Sequence, residues 1–202
     1  MTILLALVAG VSMAQAAQAA SVDGWGPYKL GMTLDAVRAM PGVQWTQPKI
    51  TDVPGRVVTS FEAAKPVEVF GEPYRLKVYF EKGVLGEISL SRKTTNCEGD
   101  FLDVLGKAED AYGVFEARDA ARPRTLMLTF YSTVEVATPP GSPSHYSRKT
   151  IEFPDDGTPA YNLVTLAARH ASGTDRLDII TAWDTKQGTR NCGSVSMDFV
   201  RD

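Results

Sequence analysis

Few histidines are available in this chain to act as a general base. His145 and His170 are its only histidines, and Ser144 directly precedes His145 in a proline-rich stretch. A serine hydrolase needs its serine, its histidine and a third orienting group brought together by the fold, which neighbours in sequence do not supply. The G-x-S-x-G motif is also absent. The pattern favours a protein without catalytic activity, and the alternative is a periplasmic hydrolase that assembles its site from distant residues, with His145 among them.

Metal ligands do not occur at the spacings that metal sites require. Asp155-Asp156-Gly157 follows Pro154, but an EF-hand loop needs further oxygen ligands at fixed positions, so this segment is better explained as a turn. The sequence contains no H-E-x-x-H motif and no cluster of cysteines and histidines that could hold zinc. Its glycines match neither a P-loop nor G-x-G-x-x-G. We expect neither a metal nor another cofactor.

The two cysteines, Cys97 and Cys192, favour a structural disulfide. An even count without a C-x-x-C motif is more typical of a single bridge than of metal binding or redox catalysis. The alternative is two free reactive thiols. Closing a loop of this length would stabilise the protein by about 4–5 kcal/mol in the chain-entropy model, before any strain is subtracted.

Residues 1–19 have the pattern of a secretory signal peptide. No charged residue precedes Val22, and the apolar run Ile3–Val11 is too short to span a bilayer. Ala17-Gln18-Ala19 places small residues at the positions that signal peptidase reads, so we expect cleavage after Ala19 or Ala20. A buried N-terminal helix is the alternative. Export predicts a periplasmic or secreted protein, most simply of a Gram-negative envelope, without a transmembrane span in its mature form.

The composition limits the class of partner. The chain has 24 acidic and 21 basic residues, for a formal net charge of −3, and no basic run is interleaved with aromatic residues. Nucleic acid is therefore not an expected partner. The remaining residues 21–202 suit one domain, long enough to bury its own core.

The stretch from Tyr28 to Gly42 predicts a short capped helix. Thr33 is a suitable N-cap because its hydroxyl can accept a hydrogen bond from the first turn. Asp35 complements the positive end of the helix, and Pro41-Gly42 ends it after about two turns.

A second, longer helix is predicted from about Glu98 to Tyr112. Its apolar residues recur at the spacing of one helical face, and Gly113 is a natural stop after it. The residues of that face are Phe101, Val104, Leu105, Ala108 and Tyr112.

Alternating apolar and polar residues predict strands on either side of this helix. The clearest pair is a hairpin in which Leu76–Phe80 and Val84–Leu90 flank the turn Lys82-Gly83. Residues 161–169 could also be helical, but we prefer a strand because a turn at 171–173 leads into another strand. Other predicted strands are Arg56–Phe61, Val67–Phe70, Leu126–Phe130, Lys149–Phe153, Leu177–Trp183 and Val195–Phe199, whereas residues 46–54 read as a polar link.

The order of these elements predicts an α+β fold, with two helices packed on antiparallel β-meander sheets. Each helix is followed by several strands, and this order also suits a duplicated helix-plus-meander unit with halves at residues 27–94 and 95–202.

The segment Leu30-Gly31-Met32-Thr33-Leu34-Asp35-Ala36-Val37 resembles the helix start of the SmpA/OmlA family of outer-membrane assembly proteins. It also resembles the related β-lactamase-inhibitor-protein-like modules of the bacterial envelope. This chain departs from SmpA/OmlA in lacking the lipid-bearing cysteine and in being longer. The resemblance implies an exported α+β scaffold that acts by binding other proteins, and it carries over no binding residue.

Exposed aromatic side chains would be the natural anchors for such a partner, because they dominate binding hot spots. The alternative is that most of them belong to the core. We expect a non-catalytic protein-binding or envelope-associated module whose partner is another envelope protein. A small-ligand carrier, which would need an apolar pocket, is a further alternative. The candidate partner-binding residues are Trp25, Trp45, Trp183 and Tyr146.

Overall fold

The computed structural model describes residues 20–53, 56–117, 134–137, 147–152, 162–184 and 192–202. The predicted α+β fold is confirmed, since helices and antiparallel strands occur in these ranges. The helices are α1 (Leu34–Ala39) and α2 (Cys97–Tyr112). The strands are β1 (Gly24–Trp25), β2 (Tyr28–Lys29), β3 (Lys49–Val53), β4 (Arg56–Glu62), β5 (Val67–Val69), β6 (Glu72–Glu81), β7 (Val84–Lys93), β8 (Glu116–Ala117), β9 (Val134–Ala137), β10 (Ser147–Glu152), β11 (Asn162–Ser172), β12 (Asp175–Asp184) and β13 (Cys192–Arg201).

Most of these strands form one large antiparallel sheet. Its spatial order is β3-β4-β6-β7-β13-β12-β11-β10-β9, with β5 paired to β6 and β8 paired to β11, while β1 and β2 form a separate hairpin. The strands that follow α1 and those that follow α2 are two contiguous blocks, which meet where β7 pairs with β13. The internal duplication of residues 27–94 and 95–202 stays a prediction.

The predicted hairpin is β6 and β7. Lys82 and Gly83 both have left-handed backbone angles, with φ of 53° and 78°, which is the conformation that a tight two-residue hairpin turn requires. The strand preferred over residues 161–169 is confirmed as β11, but it continues through Ala171 and Ser172, so the turn predicted at 171–173 begins only at Gly173. Strands β12 and β13 contain the predicted strands near the C-terminus. The link predicted over residues 46–54 is wrong for its second half, because β3 lies there.

The two faces of the sheet differ. On the helix-side face, alternate residues of the central strands pack against α2; for example, the rings of Phe199 and Tyr112 meet edge to face with centroids 5.7 Å apart. The opposite side is called the second face below. Asp198 is on this face, because its neighbour in sequence, the buried Phe199, is on the helix-side face. Each large side chain buried in such a core contributes about 1.5–3 kcal/mol. Those of the helix-side core include Leu76, Val78, Phe80, Ile88, Leu90, Phe101, Val104, Leu177, Ile179, Val195 and Met197.

The helix start near residue 30 has the predicted cap. The Thr33 hydroxyl accepts a hydrogen bond from the Ala36 N–H at 3.3 Å, and α1 ends at Ala39. Gly31 has a φ of 90°, and a Cβ added there would collide with the guanidinium of Arg201. Glycine is therefore favoured at residue 31 by its backbone angle, and any other residue would also have to displace the Arg201 guanidinium.

Some predictions lie outside the described residues: the signal peptide over residues 1–19, the strand Leu126–Phe130, Ser144, His145, Tyr146, and the turn at Asp155-Asp156-Gly157. Within the described ranges, no helix has both the length and the apolar character needed to cross a membrane.

Candidate functional site

Strand β3 forms one end of the large sheet. In the part of the chain that the structure describes, it pairs with β4 alone. One side of its backbone therefore presents N–H and C=O groups that could pair with another strand. The side chains of Lys49, Ile50 and Thr51 are all exposed.

Two large apolar side chains stand out at this end of the sheet. Ile50 is 69% exposed and Val57, on β4, is 55% exposed. Ile50 lies opposite Thr59, so Ile50 and Val57 are on the same face of the sheet and are diagonal neighbours. We call Lys49, Ile50, Thr51 and Val57 the edge patch.

The register shows which face each member of the edge patch occupies. Phe61 of β4 belongs to the helix-side core, where the guanidinium of Arg38 lies 5.8 Å from its ring centroid. Val57 and Ile50 share that face, but they lie beyond the part that the core covers. Lys49 is opposite Ser60 and therefore on the second face.

An aromatic cluster lies where the chain leads into β3 and where β4 ends. The ring of Tyr28 stacks with Trp25 at a centroid distance of 6.3 Å and meets Trp45 edge to face at 5.6 Å. Trp45 pairs with Ala63 at the end of β4. The Tyr28 hydroxyl and Trp45 Nε1 are buried without a hydrogen-bond partner in the described part of the chain, and burial raises the pKa of Tyr28.

The predicted partner-binding residues therefore differ in location and burial. Trp25 and Trp45 are half-buried and are brought together around Tyr28, which is 1% exposed. Trp183 lies in the core at 9% exposure, where a partner does not reach most of its ring. Tyr146 is outside the described residues.

The centre of the second face carries a set of polar residues that the sequence analysis missed. Asp198 of β13 accepts hydrogen bonds from the hydroxyls of Ser89, at 2.6 Å, and Ser196, at 3.0 Å. Asp198 is also directly opposite Asp178 of β12. Both carboxylates are buried.

Asp178 is held by two guanidinium groups. Arg169 donates to its two carboxylate oxygens at 2.5 and 2.9 Å, and Arg176 donates at 3.2 Å. Arg176 also forms an ion pair with Asp202. We call Ser89, Arg169, Arg176, Asp178, Ser196 and Asp198 the central polar network, and their mutual bonds are those expected of groups that stabilise the sheet.

His170, the histidine that the structure describes, makes contacts that hold two parts of the fold together. His170 Nδ1 donates to the Val114 carbonyl at 2.8 Å, and its ring centroid lies 5.6 Å from that of Phe115. These contacts fasten β11 to the segment after α2. Among the described side chains, no group of three or more histidines, cysteines, aspartates and glutamates is placed to hold a metal ion.

The predicted disulfide partners lie near the end of β7 and the start of β13, which pair with each other. Cys97 is buried at the start of α2, and none of the cysteines that the structure describes is free. Cys192 begins β13, two residues before Ser194, whose Cα partner is Lys93 at the end of β7.

Comparisons with known proteins gave no match. No family model fits the sequence, and neither a curated protein nor a solved structure is similar to it. A function for this chain must therefore be argued from the geometry of its own residues.

Proposed function

We propose that this chain is an exported, non-catalytic module that binds an extended segment of another envelope protein along β3. The observation that carries the proposal is the edge patch, in which Ile50 and Val57 are exposed beside a strand that is paired on one side only in the described chain. In strand addition, main-chain hydrogen bonds supply affinity, and side chains beside the edge supply specificity.

The edge patch leaves two large apolar side chains exposed at the end of the sheet. Natural edge strands are commonly protected by charge, proline or a covering element, because an open apolar edge promotes unwanted pairing. Strand β3 has part of this protection, since Pro48 and Pro54 bound it and Lys49 is charged, but Ile50 and Val57 remain exposed on one face. The patch therefore suits a surface that a partner covers.

The resemblance of residues 30–37 to SmpA/OmlA supports the same kind of function. That resemblance implies a scaffold of the bacterial envelope that acts by binding proteins. In this chain Gly31 and Thr33 have structural roles at the start of α1, so the binding surface itself must lie elsewhere. The edge patch is our candidate for it.

Crosslinking in a periplasmic extract tests the proposal. A photoreactive amino acid at position 50 should capture a distinct partner, and the same group at position 114 should not. Val114 is a matched control because it is 68% exposed but lies after α2, away from β3. Pull-down with Ile50→Lys should lose the partner, whereas Val114→Lys should retain it. Recovery of no partner, or equal recovery by both variants, would contradict the proposal.

A small-ligand carrier is the second candidate, because the aromatic cluster contains two buried polar atoms without a partner in the described chain. A phenol or an amide could accept from the Trp45 N–H and exchange a hydrogen bond with the Tyr28 hydroxyl. Quenching of tryptophan fluorescence by a panel of such compounds, weakened in Tyr28→Phe, would favour this function over strand addition.

Export is part of the proposal, and so is a disulfide between Cys97 and Cys192. The backbone register supports the bond, because Cys192 lies two residues before the partner of Lys93, and Cys97 lies four residues after Lys93. A thiol titration of the unreduced, denatured protein should find no thiol. Two titratable thiols would exclude the bond.

A further inference from the structure

The two faces of β3 present different chemistry to a strand placed beside them. Ile50 is on the helix-side face, next to Val57, while Lys49 and Thr51 point to the second face, as their partners Ser60 and Val58 show. Side chains of an added strand alternate between the same two faces. Each face of the added strand therefore meets a different part of the edge patch.

The Lys49 ammonium group is available to a partner. Lys49 is exposed, and it forms no ion pair with any other residue in the described ranges. Its cross-strand neighbour is a serine, and the Glu62 carboxylate on the same face is engaged by Arg75 Nε at 3.2 Å. Among the residues that the structure describes, nothing neutralises the charge of Lys49, and a carboxylate of a partner could pair with it.

On the other face, the exposed members of the edge patch are the apolar Ile50 and Val57, and the next position of β3 on that face is Asp52, opposite Val57. Ile50 would contact the side chain of an added strand that lies opposite it, whereas Val57 lies on β4, one strand further into the sheet. An apolar side chain opposite Ile50 would remove Ile50 from water, whereas a charged side chain at that position would lose hydration against the isoleucine.

We infer that the segment bound along β3 alternates acidic and apolar residues, with a carboxylate beside Lys49 and an apolar side chain beside Ile50. This inference rests on the proposed strand addition and names the chemistry of its partner. A directly opposed pair of opposite charges in a sheet strengthens binding by roughly two- to fivefold, and a like-charged pair weakens it similarly.

Three blocked heptapeptides test this inference with the full chain: valine alternating with glutamate, with serine or with lysine. By fluorescence anisotropy at low salt, the glutamate peptide should bind tightest and the lysine peptide weakest, each step being roughly two- to fivefold. At 1 M salt the three affinities should converge, because charges are then screened within about 3 Å.

A charge reversal supplies the decisive control. Lys49→Glu should reverse the order of the three peptides, whereas Lys65→Glu should leave it unchanged. Lys65 is a matched control because it is exposed, the substitution changes the net charge equally, and residue 65 lies between β4 and β5, away from the edge.

The measurements distinguish a failure of the acidic preference from a failure of strand addition itself. Equal affinity for all three peptides, lost in Ile50→Lys, would overturn the acidic preference and leave strand addition standing. No peptide binding, together with crosslinking at position 50 that matches position 114, would overturn both. Sedimentation that shows a dimer of the free protein, abolished by Ile50→Lys, would assign the edge to a second copy of the chain and overturn the inference.

Discussion

The edge patch and the central polar network place residues in opposite environments. At the centre of the sheet, Asp178 and Asp198 are buried, and each accepts hydrogen bonds from a residue of its own strand and from a residue of a neighbouring strand. At the edge, Ile50 and Val57 are apolar and exposed. Burial of the polar groups is compensated within the protein, whereas exposure of the apolar groups would be relieved only by another molecule. Changes at the centre should therefore affect stability, and changes at the edge should affect binding.

Loss of the proposed disulfide should have the largest effect, because the bond would tie the start of β13 to α2. We expect reduction to lower the free energy of unfolding by about 4 kcal/mol, since the unfolded chain gains freedom. Urea denaturation with and without a reductant measures this difference. Equal stability in both conditions would argue that the bond contributes nothing.

Asp178→Asn should be the most destabilising single change in the central polar network. It removes the carboxylate that Arg169 and Arg176 share, and breaking a buried pair of this kind costs about 3–5 kcal/mol. We expect a value near the lower end, about 3 kcal/mol, because Arg169 is partly exposed.

Asp23→Asn is the control for Asp178, since its ion pair with Lys29 is exposed, and it should cost less than about 1 kcal/mol. Urea midpoints of the two variants are to be compared. Equal costs would mean that the central polar network does not stabilise the sheet.

Gly31→Ala should have an intermediate effect, about 2 kcal/mol, because residue 31 has a left-handed backbone and faces the Arg201 guanidinium. Gly86→Ala in β7 is its control, since nothing lies within 4 Å of the position of its added Cβ. Thermal unfolding of both variants measures the difference, and an equally small effect at both positions would show that α1 adjusts at no cost.

Ile50→Lys should change stability least, by less than about 0.5 kcal/mol, because the side chain is exposed and touches little of the core. The same variant should lose the crosslinked partner. A large loss of stability in Ile50→Lys would break the distinction between edge and centre, since the edge patch would then be part of the fold.

Local patterns were sufficient to predict several elements. The hairpin of β6 and β7 could be predicted because alternation and a two-residue turn are properties of neighbouring residues. Both helices were readable from caps and periodicity. Strand β3 was missed, because Pro48 and Pro54 bound a short stretch in which Ile50 and Val53 do not alternate.

The candidate sites were harder to predict than the elements. Trp25 and Trp45 were chosen only as large aromatic residues, and the fold brings both against Tyr28. Asp178 and Asp198 each lie between two large apolar residues, so the sequence pattern is that of a solvated face. Their burial depends on strands far apart in the chain, as the bond between Ser89 and Asp198 illustrates.

The amino-acid sequence by itself determined the α+β class, the helix cap at Thr33 and the turn at Lys82-Gly83, because each depends on interactions between residues close in the chain. The tertiary structure alone decided that β3 ends the sheet with Ile50 exposed. It also decided that Asp178 and Asp198 lie opposite each other on adjacent strands at the centre of the sheet. The physical reason is that strand order and side-chain burial arise from contacts between distant segments, which no local pattern encodes.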